Sequence, residues 1–180
     1  MGAFTVGRLT SVPAGSAPEL VGSPTLAALE RHGLLDDVGV VKVDPDLSDT
    51  VRTQEAYDLP LEALANCVVV AGKREGVEKV AACMVLATTR ADVNNVVRRR
   101  LDVRKATFLG REDAVARTGM EYGGITPIGL PDDWPVLVDA AVAAQPVLVI
   151  GSGVRRSKLL LPGSVLASLP TAVTVESLGR

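Results

Sequence analysis

Residues 67–87, with the sequence CVVVAGKREGVEKVAACMVLA, decide the fold of this chain. Two valine-containing apolar runs, 67–71 and 79–87, flank a short charged connection that begins and ends with glycine. Runs of this kind, separated by a glycine-containing turn, are typical of a β-hairpin. Both runs are continuously apolar rather than alternating, so we expect strands that are covered on both faces.

The segments around this hairpin alternate between helix and strand patterns. The predicted helices lie at 23–33, at 53–65 with a break at Pro60, at 93–101, at 112–118 and from 134 through 144. Further strands are predicted at 106–109, 147–150, 158–161 and 172–175. Interleaved helices and strands favour an α/β (α+β) fold with a mixed central sheet flanked by helices.

Length and composition limit the architecture. The chain has 180 residues, of which 47% are hydrophobic, which fits one domain with a sizeable core and excludes general disorder. We therefore expect a single domain at 23–180, preceded by a flexible leader or edge segment at 1–22 that is rich in Gly, Pro and Ser. Lys and Arg total 19 and Asp and Glu total 21, for a net charge of −2. Any contact with nucleic acid must therefore be local.

Cysteine and histidine are too few and too scattered for several kinds of chemistry. Cys67 and Cys83 form no CxxC pair and lie in predicted core strands, so we expect buried, inert thiols in a reducing compartment. The only histidine, His32, precedes Gly33 at a predicted helix end, where a polar or basic residue is ordinary. No metal site and no cofactor are expected. With no apolar leader and no long apolar run, the chain is predicted to be cytoplasmic, without a membrane partner.

The most informative motif is the glycine loop, residues 123–129, with the sequence Gly-Gly-Ile-Thr-Pro-Ile-Gly. Paired glycines allow the backbone to approach a ligand closely, and Pro127 rigidifies the exit. Main-chain amides and the Thr126 hydroxyl can then be held toward a substrate oxygen. The alternative interpretation is a tight turn between a helix and a strand.

A second glycine motif, the glycine turn Gly151-Ser152-Gly153, follows a predicted strand. It is either the wall of a pocket or a simple hairpin turn. It is not a dinucleotide fingerprint, because Arg156 stands where the third glycine is needed. The chain has no Walker motif either, so a generic nucleotide-binding protein is disfavoured.

Positive charge concentrates in Arg98-Arg99-Arg100 with Arg104-Lys105, and in Arg155-Arg156 with Lys158. Clustered cations such as Arg98 with Arg99, or Arg155 with Arg156, contact phosphates in nucleic-acid-binding proteins, although a solvated face has the same composition. The few aromatic residues, two Phe, two Tyr and one Trp, predict no platform for stacking bases.

These motifs, in this order, resemble the YbaK/ProX family, the aminoacyl-tRNA editing domains related to the insertion domain of bacterial prolyl-tRNA synthetase. The resemblance covers roughly residues 53–161. It rests on Thr118-Gly119 followed by the glycine loop, on Leu137-Val138-Asp139, and on Val149-Ile150 followed by the glycine turn.

The resemblance implies one domain with a curved, mixed central sheet and a deacylase activity toward mischarged tRNA. The partners that it implies are aminoacyl-tRNA and, as a second candidate, an aminoacyl-tRNA synthetase, with no role for DNA. In the family the tRNA 3′ adenosine supplies part of the catalysis. The residues that it places around the aminoacyl group are Gly123, Gly124, Ile125, Pro127, Asp139, Gly151, Ser152 and Gly153.

One departure from the family concerns a lysine at the start of the first core strand. Ala65 or Asn66 stands in that place, and neither carries a charge. Asn66 is the expected polar substitute, with Thr126 as a second catalytic candidate in place of the usual serine. The alternative is a catalytically silent homologue that binds tRNA or a synthetase without hydrolysing the ester.

Overall fold

Helices and strands interleave along the chain in the computed structural model, which describes all 180 residues. The strands are β1 (Thr5–Val6), β2 (Leu9–Thr10), β3 (Val12–Pro13), β4 (Gly39–Lys42), β5 (Ala65–Arg74), β6 (Val77–Leu86), β7 (Lys105–Phe108), β8 (Val136–Asp139), β9 (Leu148–Gly151), β10 (Ser157–Leu161) and β11 (Ala172–Val175). The α-helices are α1 (Ser23–Arg31), α2 (Thr50–Tyr57), α3 (Arg98–Leu101), α4 (Arg111–Thr118), α5 (Ala140–Ala143) and α6 (Gly163–Ala167). A π-helical segment, Val93–Val97, runs directly into α3.

The predicted hairpin is confirmed and is longer than its apolar runs. Strands β5 and β6 pair antiparallel along their whole length, from Ala65 opposite Leu86 to Arg74 opposite Val77. The turn between them is only Glu75 and Gly76, both with positive φ (52° and 80°). A two-residue hairpin turn of this type needs φ > 0 at both positions, which Gly76 adopts without strain.

This hairpin lies inside a five-stranded sheet with the order β11-β8-β6-β5-β7. The pairs β6–β8 and β8–β11 are parallel and the other two are antiparallel, so the sheet is mixed, as predicted. A second, antiparallel sheet has the order β3-β4-β10-β9. Buried side chains of both sheets, such as Met84 and Ile150, form the largest core cluster together with Leu29 of α1.

The other face of the larger sheet is covered as well. Val97 and Leu101 pack there with Val70 and Ala81 of the hairpin. Asp92 caps the π-helical segment by accepting a hydrogen bond from the Asn95 N–H at 3.1 Å. Coverage on both faces accounts for the uninterrupted apolar runs of β5 and β6.

The helix predicted from 134 through 144 is wrong. Strand β8 occupies the first half of this segment, and only the short α5 follows it. Because β8 lies between β6 and β11 and is buried on both faces, its residues Val136, Leu137 and Val138 form a continuous apolar run. Such a run has no period that separates a buried strand from a buried helix.

Residues 1–22 contribute β1, β2 and the edge strand β3 of the second sheet. Val6, Leu9 and Ala14 from this segment are buried. No helix in the structure combines the length and the apolar character that crossing a membrane requires.

Candidate functional site

A cavity of about 370 Å³ opens where the start of β5 meets β9, β10 and the glycine loop. Most of the residues that line it are apolar, and they include Cys67, Val69 and Ile150. Polar groups enter from the segment 48–50, from Asn66 and from Lys158. A cavity with an apolar wall and a few convergent polar groups is the usual form of a small-molecule site.

The structure brings the two glycine motifs together at this cavity. Gly153 N–H donates a hydrogen bond to Gly124 O at 2.7 Å. A Cβ at Gly151 would lie 2.6 Å from Gly124 O, and one at Gly124 would lie 2.7 Å from Val154 O. Only glycine permits this approach of the loop to the turn, which accounts for the residue type at both places.

Several backbone amides of the glycine loop donate no hydrogen bond within the chain, and two of them belong to residues that line the cavity. Gly123 and Ile125 line the cavity, and neither N–H donates a hydrogen bond to another residue. Gly123 has φ 87°, in the left-handed region that favours glycine. Backbone donors without an acceptor, next to a cavity, are suited to bind the oxygen of a substrate carbonyl.

Asn66 lies in the cavity wall with a defined orientation. The Thr50 hydroxyl donates to Asn66 Oδ1 at 2.9 Å, and the Asn66 Nδ2 group has no partner within the chain. The amide nitrogen therefore keeps both of its donors for a ligand. Ala65, the other residue in the place of the family lysine, also lines the cavity and offers only a methyl group.

Thr126 does not line the cavity, although it belongs to the glycine loop. Its side chain is fully buried, and its hydroxyl has no hydrogen-bond partner. Pro127 lies in a separate small cleft beside Ile128. The catalytic role of Thr126 stays a prediction, and neither side chain lines the cavity.

Asp139 and Ser152 also lie outside the cavity and hold neighbouring backbone. Asp139 accepts hydrogen bonds from Ala141 N–H at 2.8 Å, as the cap of α5, and from Gly179 N–H. Ser152 Oγ lies 2.7 Å from Ser157 Oγ in a buried contact. These contacts fix the end of β8 and the glycine turn, so the two residues act on the site through its framework.

Lys158 lines the cavity, whereas the sequence placed it only in the basic cluster with Arg155 and Arg156. It lies in β10, whose five residues are all buried, and its Nζ donates to Ser48 O at 2.8 Å. Burial lowers the pKa of Lys158 to about 8, with Asp49 raising and Arg155 lowering it to a lesser extent. A lysine inside an otherwise apolar strand was the available signal, because such a strand buries every side chain.

Comparison with known proteins identifies the family of this chain. The family model for the aminoacyl-tRNA editing domain matches residues 44–169, which include every cavity residue named above. The chain belongs to the aminoacyl-tRNA editing domain family. The resemblance drawn from the sequence motifs is thereby confirmed.

Solved structures agree on the fold of this editing domain. A protein described as a candidate trans-editing enzyme for prolyl tRNA synthetase matches with a TM-score of 0.74 and 19% identity, over 88% of this chain and 96% of its own. A second crystal structure, of a protein described as hypothetical, matches with a TM-score of 0.75 and 15% identity, over 88% of this chain and all of its own. The search of curated proteins found no match.

The two arginine pairs lie in different relations to the cavity of the editing domain. Arg155 Nη1 would lie 3.6 Å from a Cβ on Gly123, and Arg155 also bonds to Pro45 O, so its guanidinium lies at the rim. Arg156 turns away to bond to Glu19 O. Arg98 and Arg99 belong to α3, which packs on the opposite face of the large sheet.

Two exposed aromatic rings lie at the mouth of the cavity. Phe108 is 61% exposed and Tyr122 is 49% exposed, and both line the opening. The Arg111 guanidinium carbon lies 4.7 Å from the centre of the Tyr122 ring. The fold thus places two aromatic residues at one opening, although the sequence predicted no platform for stacking bases.

The cavity cysteine is not a nucleophile. Burial, with a smaller contribution from Cys83, raises the pKa of the Cys67 thiol far above its ordinary value, and burial raises the pKa of Cys83 to about 12. Both thiols are therefore protonated at neutral pH. Cys83 is buried as predicted, whereas Cys67 is only half-buried in the cavity wall; the raised pKa values of both agree with inert thiols.

Proposed function

We propose that this protein hydrolyses the ester bond between an amino acid and the 3′ end of a mischarged tRNA. The observation that carries the proposal is the set of unused donors around one cavity, in a chain that belongs to the editing family. The donors are the amides of Gly123 and Ile125 and the Asn66 carboxamide. All three are suited to bind the carbonyl oxygen of an ester, whose negative charge grows when water adds.

The reaction needs no covalent enzyme intermediate. Water attacks the carbonyl carbon, the carbonyl electrons move onto the oxygen held by the donors, and the C–O bond to the ribose breaks. The departing ribose oxygen takes a proton, and the products are a free amino acid and a tRNA with a free 3′ hydroxyl. The protonated Cys67 thiol in the wall does not compete as a nucleophile.

The shape of the cavity supports selection by size. Val69, Ala114 and Ile150 form apolar wall that accepts a small uncharged side chain. A synthetase discriminates one methylene by only about 1–3 kcal/mol, so a second pocket that excludes the larger, correct amino acid adds fidelity. We infer that the edited amino acid is small and neutral.

The charge and the aromatic residues at the rim of the cavity support tRNA as the partner. Arg155 and the exposed rings of Phe108 and Tyr122 surround the opening, where a phosphate and a base of the acceptor end would lie. A synthetase as a second partner, and the cytoplasm as the place of reaction, belong to the same proposal. They rest on the family and on two free cysteines.

The test is a deacylation assay with a panel of tRNAs carrying correct and incorrect amino acids. We expect release of a small amino acid, and a loss of about 100-fold or more in kcat for Asn66→Asp, which replaces a donor with an anionic oxygen while Thr50 still has its acceptor. The matched control is Asn94→Asp, an exposed asparagine in the π-helical segment. If no tRNA in the panel is hydrolysed but tRNA still binds, the chain is the silent homologue and the proposal fails.

A further inference from the structure

Lys158 carries the only positive charge among the residues that line the cavity. Its side chain is only 9% exposed, and no carboxylate oxygen lies within 4 Å of Nζ. Its single hydrogen bond, to Ser48 O, leaves two of the three N–H donors of the ammonium group without a partner. A buried cation in this state destabilises a fold, so its presence needs a ligand-based reason.

A second unpartnered group lies at the same place. Ser48 is 2% exposed and lines the cavity, and its Oγ has no hydrogen-bond partner. Ser48 O is also the acceptor that holds Lys158 Nζ. A buried ammonium group with two unused donors, next to a buried hydroxyl without a partner, indicates an oxygen-bearing ligand at this place.

We propose that Lys158 donates a hydrogen bond to the carbonyl oxygen of the aminoacyl ester and stabilises its negative charge when water adds. This inference rests on the proposed function and adds a catalytic residue to it. As the water oxygen bonds to the carbonyl carbon, the electron pair of the C=O bond moves to the oxygen, which Lys158 holds. When that pair returns, the bond to the ribose oxygen breaks, and the ribose oxygen takes the proton that water gives up.

The position of Lys158 accounts for the uncharged start of β5. The residues there, Ala65 and Asn66, face the same cavity from the larger sheet, whereas Lys158 enters from β10 of the second sheet. A positive charge therefore enters the cavity from the second sheet, although the start of β5 offers none. Asp49, an exposed residue that also lines the cavity, attracts the ammonium and Arg155 repels it, but Asp49 forms no ion pair with Lys158.

The kinetic test compares Lys158→Met with Lys42→Met, a control on an exposed lysine of the neighbouring strand β4. We expect Lys158→Met to lower kcat by about 10² to 10³ with little change in KM, because the contact strengthens only as charge develops. The kcat/KM of the unaltered protein, relative to spontaneous ester hydrolysis, should fall as pH rises through about 8, and this fall should be absent in Lys158→Met. Equal kcat values in the unaltered protein and in Lys158→Met would overturn the role of Lys158. The proposed deacylase function would still stand.

A binding test works even if the protein is silent. Adenosine analogues that carry small amino acids through a 3′ amide resist hydrolysis and present the same carbonyl oxygen. A carbonyl oxygen bound to Lys158 favours the charged amine and so raises the pKa of Lys158. Binding of an analogue at pH 9 should therefore take up a proton. Calorimetry in buffers of different ionisation enthalpy measures this uptake. Proton uptake by the unaltered protein and its absence in Lys158→Met support the inference, whereas binding without uptake, or no binding of any analogue, overturns it.

Discussion

Replacing Lys158 by methionine should make the protein more stable at neutral pH. The pKa of Lys158 falls from 10.5 to about 8 on folding, chiefly through burial. At about 1.4 kcal/mol per pH unit, the charged amine costs the folded state roughly 3 kcal/mol. Loss of the hydrogen bond to Ser48 O offsets about 1 kcal/mol or more of the gain. We expect a net increase of about 1 to 2 kcal/mol, or about 2 to 8 °C in Tm.

The sign of the pH dependence follows from the lowered pKa. Below pH 8 the amine is charged in both states, and the folded state carries the full cost. Between about pH 8 and 10.5 the folded state has released the proton and the unfolded state keeps it, so the unaltered protein gains stability relative to Lys158→Met. The advantage of the variant should therefore disappear across this interval. The raised pKa values of Cys67 and Cys83 act oppositely, but both proteins share them and they cancel in the difference.

The assay is urea unfolding of both proteins at pH 7, 8, 9 and 10, with Lys42→Met as the control whose difference from the unaltered protein should stay flat. A Lys158→Met variant that is less stable than the unaltered protein by the same amount at every pH would refute the reasoning. Lys158 would then be a structural tie to Ser48 rather than a group held at a cost for the ligand. Increased stability together with lost activity is the signature of a functional residue.

Three further predictions concern the rim and the framework of the site. Phe108→Ala should raise the KM for aminoacyl-tRNA about 5- to 100-fold at unchanged kcat, as expected for a stacked base; an unchanged KM would remove Phe108 from the substrate path. Arg155→Ala should flatten the dependence of tRNA binding on salt concentration in a filter-binding titration, whereas Arg99→Ala, on the far face of the sheet, should not. Gly151→Ala should lower the free energy of unfolding by about 1–3 kcal/mol, because the new Cβ would overlap backbone oxygens of the glycine loop. It should also lower kcat. The control Gly110→Ala, where a Cβ meets nothing within 4 Å, should leave both near their original values.

Local patterns were sufficient to predict the hairpin and the glycine loop. The hairpin follows from two apolar runs and a glycine turn, which are properties of adjacent residues. The run at 136–138 was misassigned as helix, because burial on both faces removes the alternation that marks a strand. The inner strand β4 of the second sheet was not predicted at all, although the four-residue strands β7, β9 and β11 were. Pairing across the sheet decides such segments, and pairing is not local.

The residues of the candidate site likewise fall into those that local sequence patterns predict and those whose positions depend on strand pairing. The meeting of the glycine loop with the glycine turn was predicted, because each motif has a sequence signature and the family resemblance joined them. The contribution of Lys158 was not, because a lysine next to Arg155 and Arg156 has the composition of a solvated basic cluster. Its direction is fixed by the pairing of β10 with β9 and β4, which turns a surface pattern into a buried cation opposite Asn66. The positive charge of the cavity thus comes from a residue about 90 positions after the start of the first core strand, a placement that depends on strand pairing rather than on local sequence.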